Sequence, residues 1–199
     1  MSVLSNILNV AAKRPVWIHA LGAAATFVVF GQVQAHLNAS YEASNHPVDY
    51  MTGQTGFDAV LIKGYYAHME HLGTLGVYLQ TQFIDFGFII MMALMGIMFG
   101  TLVARLGGQG SWRYRFGVAA AVSVVCGAMC DAFENLVSFV MLANPTSFAD
   151  WLALPYSTFA VIKFGLIALG LLLVILSAVI GAGERGLALI ANKRGVAKA

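Results

Sequence analysis

Long unbroken apolar runs, rather than amphipathic periods, set the pattern of this chain. Four are long enough to cross roughly 30 Å of hydrocarbon at about 1.5 Å per residue, over about 16–36, 83–106, 116–142 and 157–183. The first run also has the features of a signal peptide: Lys13 and Arg14, an apolar core, then "VQA" before His36. It is expected to remain as an uncleaved span. Val3, Leu4, Ile7, Leu8 and Val10 fall at helical spacing over 1–14, which predicts a short helix on the membrane surface ended by Pro15.

The piece between the first two spans, 37–82, is the one large extramembrane segment. Its first half, "LNASYEASNHPVDYMTGQTG", is rich in turn formers and is expected to be irregular. In its second half Asp58 is placed as an N-cap, and "AVLIKGYYAHMEHLG" predicts one or two helical turns ending near Gly73. From Thr74 the chain is expected to run straight into the second span, with the helical part lying on the outer face as a lid. Asn38-Ala39-Ser40 is a glycosylation sequon, meaningful only in a eukaryotic secretory context. The other two connections are short, so sequential spans are antiparallel. The fold class is therefore all-α: one integral membrane domain, 1–199, built as a four-helix bundle with a long, partly helical outer loop. Gly96, Gly100 and Ala104 form a small-residue row suited to close helix packing within the chain.

Composition agrees with this reading. The chain is 59% apolar and 10% charged with mean hydropathy +0.79, where soluble domains are about 45–50% apolar and about 25% charged. A net charge of +2 is too small to point to nucleic acid. Lys13, Arg14, Arg105, Arg113, Arg115, Arg185, Lys193, Arg194 and Lys198 fall on one side of the four spans, against Lys63 on the other. That bias predicts cytoplasmic termini, and the compact loops and short tails point to a bacterial inner membrane. Trp17 and Trp112 fall at the inner interface and Trp151 at the outer one.

Against this apolar background, "MCDAFENLVSFVML" (129–142) places two carboxylates and an amide inside a membrane span. On a helical wheel with Asp131 at zero, Asn135 falls at about 40°, Ser138 at about 340°, Gly127 at about 320° and Glu134 at about 300°. Phe133, Val137 and Val140 lie opposite. This one polar stripe must face the bundle, because lipid does not solvate it. Counting from the span ends, Glu134 and Asn135 lie about 10–12 Å below the outer boundary, Asp131 about 16 Å, Lys163 about 9 Å and Asp85 about 3 Å. Gln32, Gln34 and His36 crowd the same half. A buried charge at such depth costs several kcal/mol unless paired. The expectation is a Lys163–Glu134 or Lys163–Asp131 ion pair, with Asp85 near its outer edge. Two readings stay open: a self-neutralising cluster that sets helix register, or an outward-open polar cavity for a headgroup, ion or proton.

Other features carry less. Cys126 and Cys130 are i,i+4 on a helix, a poor disulfide geometry, and are expected as small packing residues. His68 and His71 share a turn and form the one candidate metal pair, but no third ligand follows at defined spacing. No cofactor is expected; His19 has no second histidine at matching depth for haem. Tyr65, Tyr66 and Tyr78 are read as interfacial aromatics. There is no Ser-His-Asp arrangement, phosphate loop or dinucleotide fingerprint.

Two segments, 56–89 and 130–165, carry a broader pattern. Gly73, Gly76, Tyr78 and Asp85 precede Asp131, Glu134 and Asn135, and a helix bearing Lys163 follows. This resembles an uncharacterised family of small four-span membrane proteins with an Asp-x-x-Glu-Asn motif in the third span. The resemblance covers about half the chain. It implies the bundle and the polar trio and brings no activity with it. The family pattern has an Arg directly after the second Gly, where this chain has Val77.

The leading functional expectation is a non-catalytic accessory or binding subunit of the membrane. Its acidic cluster with Lys163 would organise the bundle and hold a lipid or small polar ligand. The alternatives are a membrane-embedded enzyme or proton-coupled carrier for a lipophilic substrate, with Glu134 or Asp131 handling the proton, and a structural subunit of a respiratory or photosynthetic complex. The expected partners are the bilayer, a bound lipid, and a membrane protein or second copy of the chain.

Overall fold

The computed structural model describes residues 14–196, together with Asn6 and Val10. The surface helix expected over 1–14 lies outside the described residues, apart from those two helical positions and Arg14. Six α-helices follow: α1 (Val16–Ala43), α2 (Tyr50–Gln54), α3 (Ala59–His71), α4 (Leu75–Leu106), α5 (Trp112–Leu142) and, after a 3-10 turn at Asp150–Leu152, α6 (Ala153–Val196). Four of them, α1, α4, α5 and α6, are long and apolar enough to span a membrane. No strand occurs among the described residues.

The helices overrun the apolar runs that predict them, because polar residues at their ends still close backbone hydrogen bonds. α1 continues through Gln34, His36, Asn38 and Ser40 to Ala43, so the "irregular" half of the loop is partly helical, and the sequon sits inside a helix. α1 stops where Ser44 caps it and Asn45 turns left-handed at φ 53°. Tyr50–Gln54 adds a further short helix, capped by the Asp49 side chain. The helix after Asp58 is longer than one or two turns: 13 residues, with the Asp58 carboxylate accepting from the Val60 and Leu61 amides. At its end Gly73, at φ 72°, permits the paired bonds Thr74 N–H to Met69 O (2.8 Å) and Gly73 N–H to Glu70 O (3.0 Å). The chain then enters α4 after a three-residue connection, Leu72 to Thr74.

The spans pack in the order α1–α4–α5–α6. The α4–α5 contact brings backbone against backbone. A Cβ added to Gly100 would lie 2.6 Å from the Gly117 carbonyl oxygen and 2.7 Å from the Ala121 Cβ, so the two backbones meet only because both positions are glycine. The small-residue row of α4 is therefore used within the chain. Ser123 Oγ donates to the Leu166 carbonyl (2.8 Å), tying α5 to α6. α1 rests on α4, held near one end by His19 Nε2, 3.1 Å from the Met98 carbonyl and 3.2 Å from Thr101 Oγ1, and near the other by Ser40 Oγ, 2.7 Å from Thr81 Oγ1. α1 does not close the ring against α6, and a lateral gap is left between them.

Residues 44–74 cap one end of the bundle. Ile62, Tyr66 and Met69 of α3 insert into a core with Tyr78, Met141, Phe148, Leu152 and Tyr156. Phe57 N–H donates to Ser157 Oγ (3.0 Å), and Lys63 pairs with Asp150 and lies over the Phe148 ring. Tyr66 and Tyr78 are thus core residues rather than interfacial aromatics, because the cap brings its own apolar floor. His46 packs among the rings of Tyr41, Tyr65 and Tyr78, with Nδ1 2.9 Å from the Val48 carbonyl. Trp17, Trp112 and Trp151 are all exposed at helix ends, as interfacial aromatics should be.

A polar cluster at the head of a membrane cleft

The stripe on α5 faces inward, as the wheel requires: Asp131, Glu134, Asn135 and Ser138 are all buried, whereas Phe133 and Val140 are exposed. Lys163 of α6 lies opposite. Its ammonium donates to Asp131 Oδ1 at 2.6 Å and sits 2.6 Å from Glu134 Oε2, the second contact being an ion pair without a directed hydrogen bond. The open choice between Glu134 and Asp131 is resolved as both. The three groups are almost wholly withdrawn from the surface, at 4% exposure for Lys163, 2% for Asp131 and 0% for Glu134. One lysine between two carboxylates is the geometry that makes burial of such charges tolerable.

α4 starts at Leu75, so Asp85 lies about 15 Å from its beginning at about 1.5 Å per residue. There its Oδ2 accepts from Asn135 Nδ2 at 2.7 Å, and among the described residues it joins no ion pair. The site therefore holds three carboxylates and one ammonium, and the carboxylate without a cation is only half-buried. Above Asn135, the Tyr66 hydroxyl, Ser138 Oγ, Asn135 Oδ1 and Glu134 Oε1 are buried without a protein hydrogen bond. Two of these are rotatable hydroxyls and two are acceptors.

The cluster borders a cavity of about 550 Å³ that fills the gap between α1 and α6, with α4 and α5 behind it. Its two ends differ. Asp85, Asp131, Lys163 and Gln34 form one end, roofed by Tyr50 and Gln54 of α2. From there the cleft runs along Phe30, Phe88, Met92, Phe99, Leu171 and Val174, with no charged residue. From Asp85 to Phe99 on α4 is 14 residues, about 21 Å along the axis. Leu171 is exposed on the lipid side of the cleft.

Not every expected residue joins this site. Glu134 holds Lys163 from behind and does not line the cleft. Gln32 and His36 are exposed, so of the polar residues near that end of α1 only Gln34 reaches the cavity. His68 and His71 are exposed on α3, and among the described residues no group of three His, Cys, Asp or Glu is placed to hold a metal ion. Cys126 and Cys130 are free thiols, and Cys126 is exposed rather than packed. Two residues of the cleft have no signal in the sequence. Tyr50 and Gln54 sit in a polar loop, and only the chain reversal at Asn45 brings α2 over the bundle. No family model, curated protein or solved structure matches this chain.

Proposed function

We propose that this protein is a non-catalytic binding subunit of the membrane that takes an amphipathic molecule from the bilayer into the cleft between α1 and α6. The observation that carries this reading is the polarity gradient of the cavity. A charged and amide-lined head end is followed by a long aromatic and aliphatic shaft open to lipid. A cluster that served only to fix helix register has no use for an apolar channel leading away from it. The volume of about 550 Å³ falls within the usual range of ligand pockets, about 300–1,000 Å³.

The capped end is taken as the outer side. Arg14, Arg105, Arg113 and Arg115 gather at the opposite end, where Arg105 donates to the Arg14 carbonyl and Arg113 pairs with Glu184. Such a bias favours cytoplasmic termini in a bacterial inner membrane. The resemblance to the four-span family with Asp-x-x-Glu-Asn fits the same arrangement.

The test is lipid retention. After purification and stringent delipidation, native mass spectrometry of the wild type should show one retained amphipath per chain. Leu171→Trp, which fills the shaft from its exposed lining position, should lose it while keeping the wild-type melting temperature. Equal retention by both would end the proposal.

A further inference from the structure

We infer that the molecule held in the cleft carries a cationic, amine-type head, with Asp85 as its counter-charge and Gln54 as a neighbouring acceptor. The inference rests on the binding reading above and adds the chemical class of the ligand.

The head end is short of donors. Lys163, its one cation, lies 2.6 Å from both Asp131 and Glu134, so two carboxylates already share its charge. The Tyr50 hydroxyl donates to the Leu37 carbonyl at 3.2 Å, and the Gln34 amide donates to Asn38 at 3.2 Å. The Tyr50 hydroxyl proton and one Gln34 N–H are thus already engaged within the protein. Asp85 adds a carboxylate whose one hydrogen bond in the protein comes from the Asn135 amide. Gln54 is independent of the acidic cluster and borders the same end of the cavity. It lines the head end, it is 8% exposed, and its Oε1 has no donor in the protein. A buried amide oxygen without a donor is costly, and a carboxylate facing an apolar shaft without a cation is more so.

An ammonium head answers both. It brings the missing positive charge and up to three N–H donors to a head end where Asp85 has no cation and Gln54 Oε1 has no donor among the described residues. An anionic head would instead meet two carboxylates, Asp85 and Asp131, with a single, already shared lysine against them. A neutral hydroxyl head would satisfy Gln54 but leave Asp85 without a cation. An amine on a single long chain, without a phosphate, is thus the class that fits.

The probes are n-tetradecylamine, tetradecanol and tetradecyl sulfate, which share one chain and differ in head. Each is titrated by calorimetry into the full-length protein in micelles of an uncharged polyoxyethylene detergent, with empty micelles subtracted. The amine should bind about tenfold or more tightly than the alcohol, as expected for a charged hydrogen-bonded pair, and the sulfate more weakly still. Asp85→Asn should bring the amine down to the level of the alcohol, and Asp85→Glu should keep the preference. Leu171→Trp should weaken all probes together. If alcohol or sulfate binds as tightly as the amine and Leu171→Trp weakens every probe, the cleft reading stands and the cationic head is wrong. An amine preference that survives Asp85→Asn also overturns it. If no probe binds above empty micelles, both readings fail.

Discussion

Lys163→Met removes the only cation among the described residues that contacts Asp131 and Glu134, while keeping a side chain of similar length and volume. Both carboxylates are 2% exposed or less, so water does not replace the lost ammonium. Breaking a buried ion pair by deleting one partner costs about 3–5 kcal/mol. Here one deletion strands two acids, each 2.6 Å from the same nitrogen. Packing loss is minor by comparison, because a near-isosteric apolar swap costs less than about 1.5 kcal/mol. For a chain of this size about 3–5 kcal/mol corresponds to a drop of roughly 6–20 °C in melting temperature. Circular dichroism melts in a mild detergent measure it. Two further variants separate charge from packing. Glu134→Gln alone should be milder, because Lys163 keeps Asp131. Lys163→Met combined with Glu134→Gln and Asp131→Asn should recover most of the loss, because no uncompensated charge then remains buried. A Lys163→Met protein melting within about 2 °C of the wild type, or a triple variant no better than the single one, would refute the reasoning.

Three more perturbations follow from the fold. Gly100→Ala places a methyl against the Gly117 carbonyl and Ala121. It should cost about 1–3 kcal/mol in the same melts, and an unchanged melting temperature would show that α4 and α5 do not need their close approach. Burial holds the His46 imidazole below its ordinary 6.5, with His68 adding to the lowering and the Val48 carbonyl and Asp49 opposing it. The unfolded chain then binds a proton that the folded one resists. Stability should be complete above about pH 6.5 and decline as pH falls toward the folded value; a His46→Gln variant with the same acid limb would exclude this group. Limited proteolysis in vesicles open on the capped side should cut first within 44–58, between α1 and α3, and spare 59–71, whose Tyr66 and Met69 are buried. Equal cutting of the two would mean that α3 is not docked.

Much of this architecture was legible because lipid removes alternatives. Apolar runs of this length have one use, and a polar stripe on one of them has one direction to face. That is why the burial of Asp131, Glu134 and Asn135, and a lysine opposite them, follow from the wheel and a depth count. The place of Asp85 along its helix does not follow from hydropathy, which rises only at Phe83. The helix itself begins at Leu75, and nothing in "LGVYLQTQ" marks the hydrocarbon boundary. The burial of Tyr66, Tyr78 and Tyr156 escaped for a different reason. A tyrosine near a span end satisfies the rule for interfacial aromatics and the rule for a packed core equally. Only the cap, docked through contacts as distant in sequence as Phe57 to Ser157, decides between them. The cleft was the least legible feature, since it is made by what α1 and α6 leave unfilled.

That gap also clarifies the division of labour among the acids. Glu134 is sealed behind Lys163 and can only hold it in place. Asp131 does the same with one oxygen while bordering the cleft, and Asp85 borders the cleft without contacting the lysine. The structural and the ligand-binding readings of the cluster are therefore not rivals for the same residues. Glu134 and Asp131 bind α5 to α6 through Lys163, and the third carboxylate, Asp85, stands at the cavity end without an ion pair among the described residues. α1 fits this scheme by bringing no ionic group to the cleft. Its polar ties to α4 lie near its two ends, at His19 and Ser40, with Phe27 and Phe30 packed on Phe99 and Phe88 between them. A helix fixed near both ends, with the apolar stretch 27–30 between them, forms one wall of a lipid-side opening without disturbing the ion cluster behind it. Substitutions along that middle stretch should thus alter ligand retention well before they alter the melting temperature.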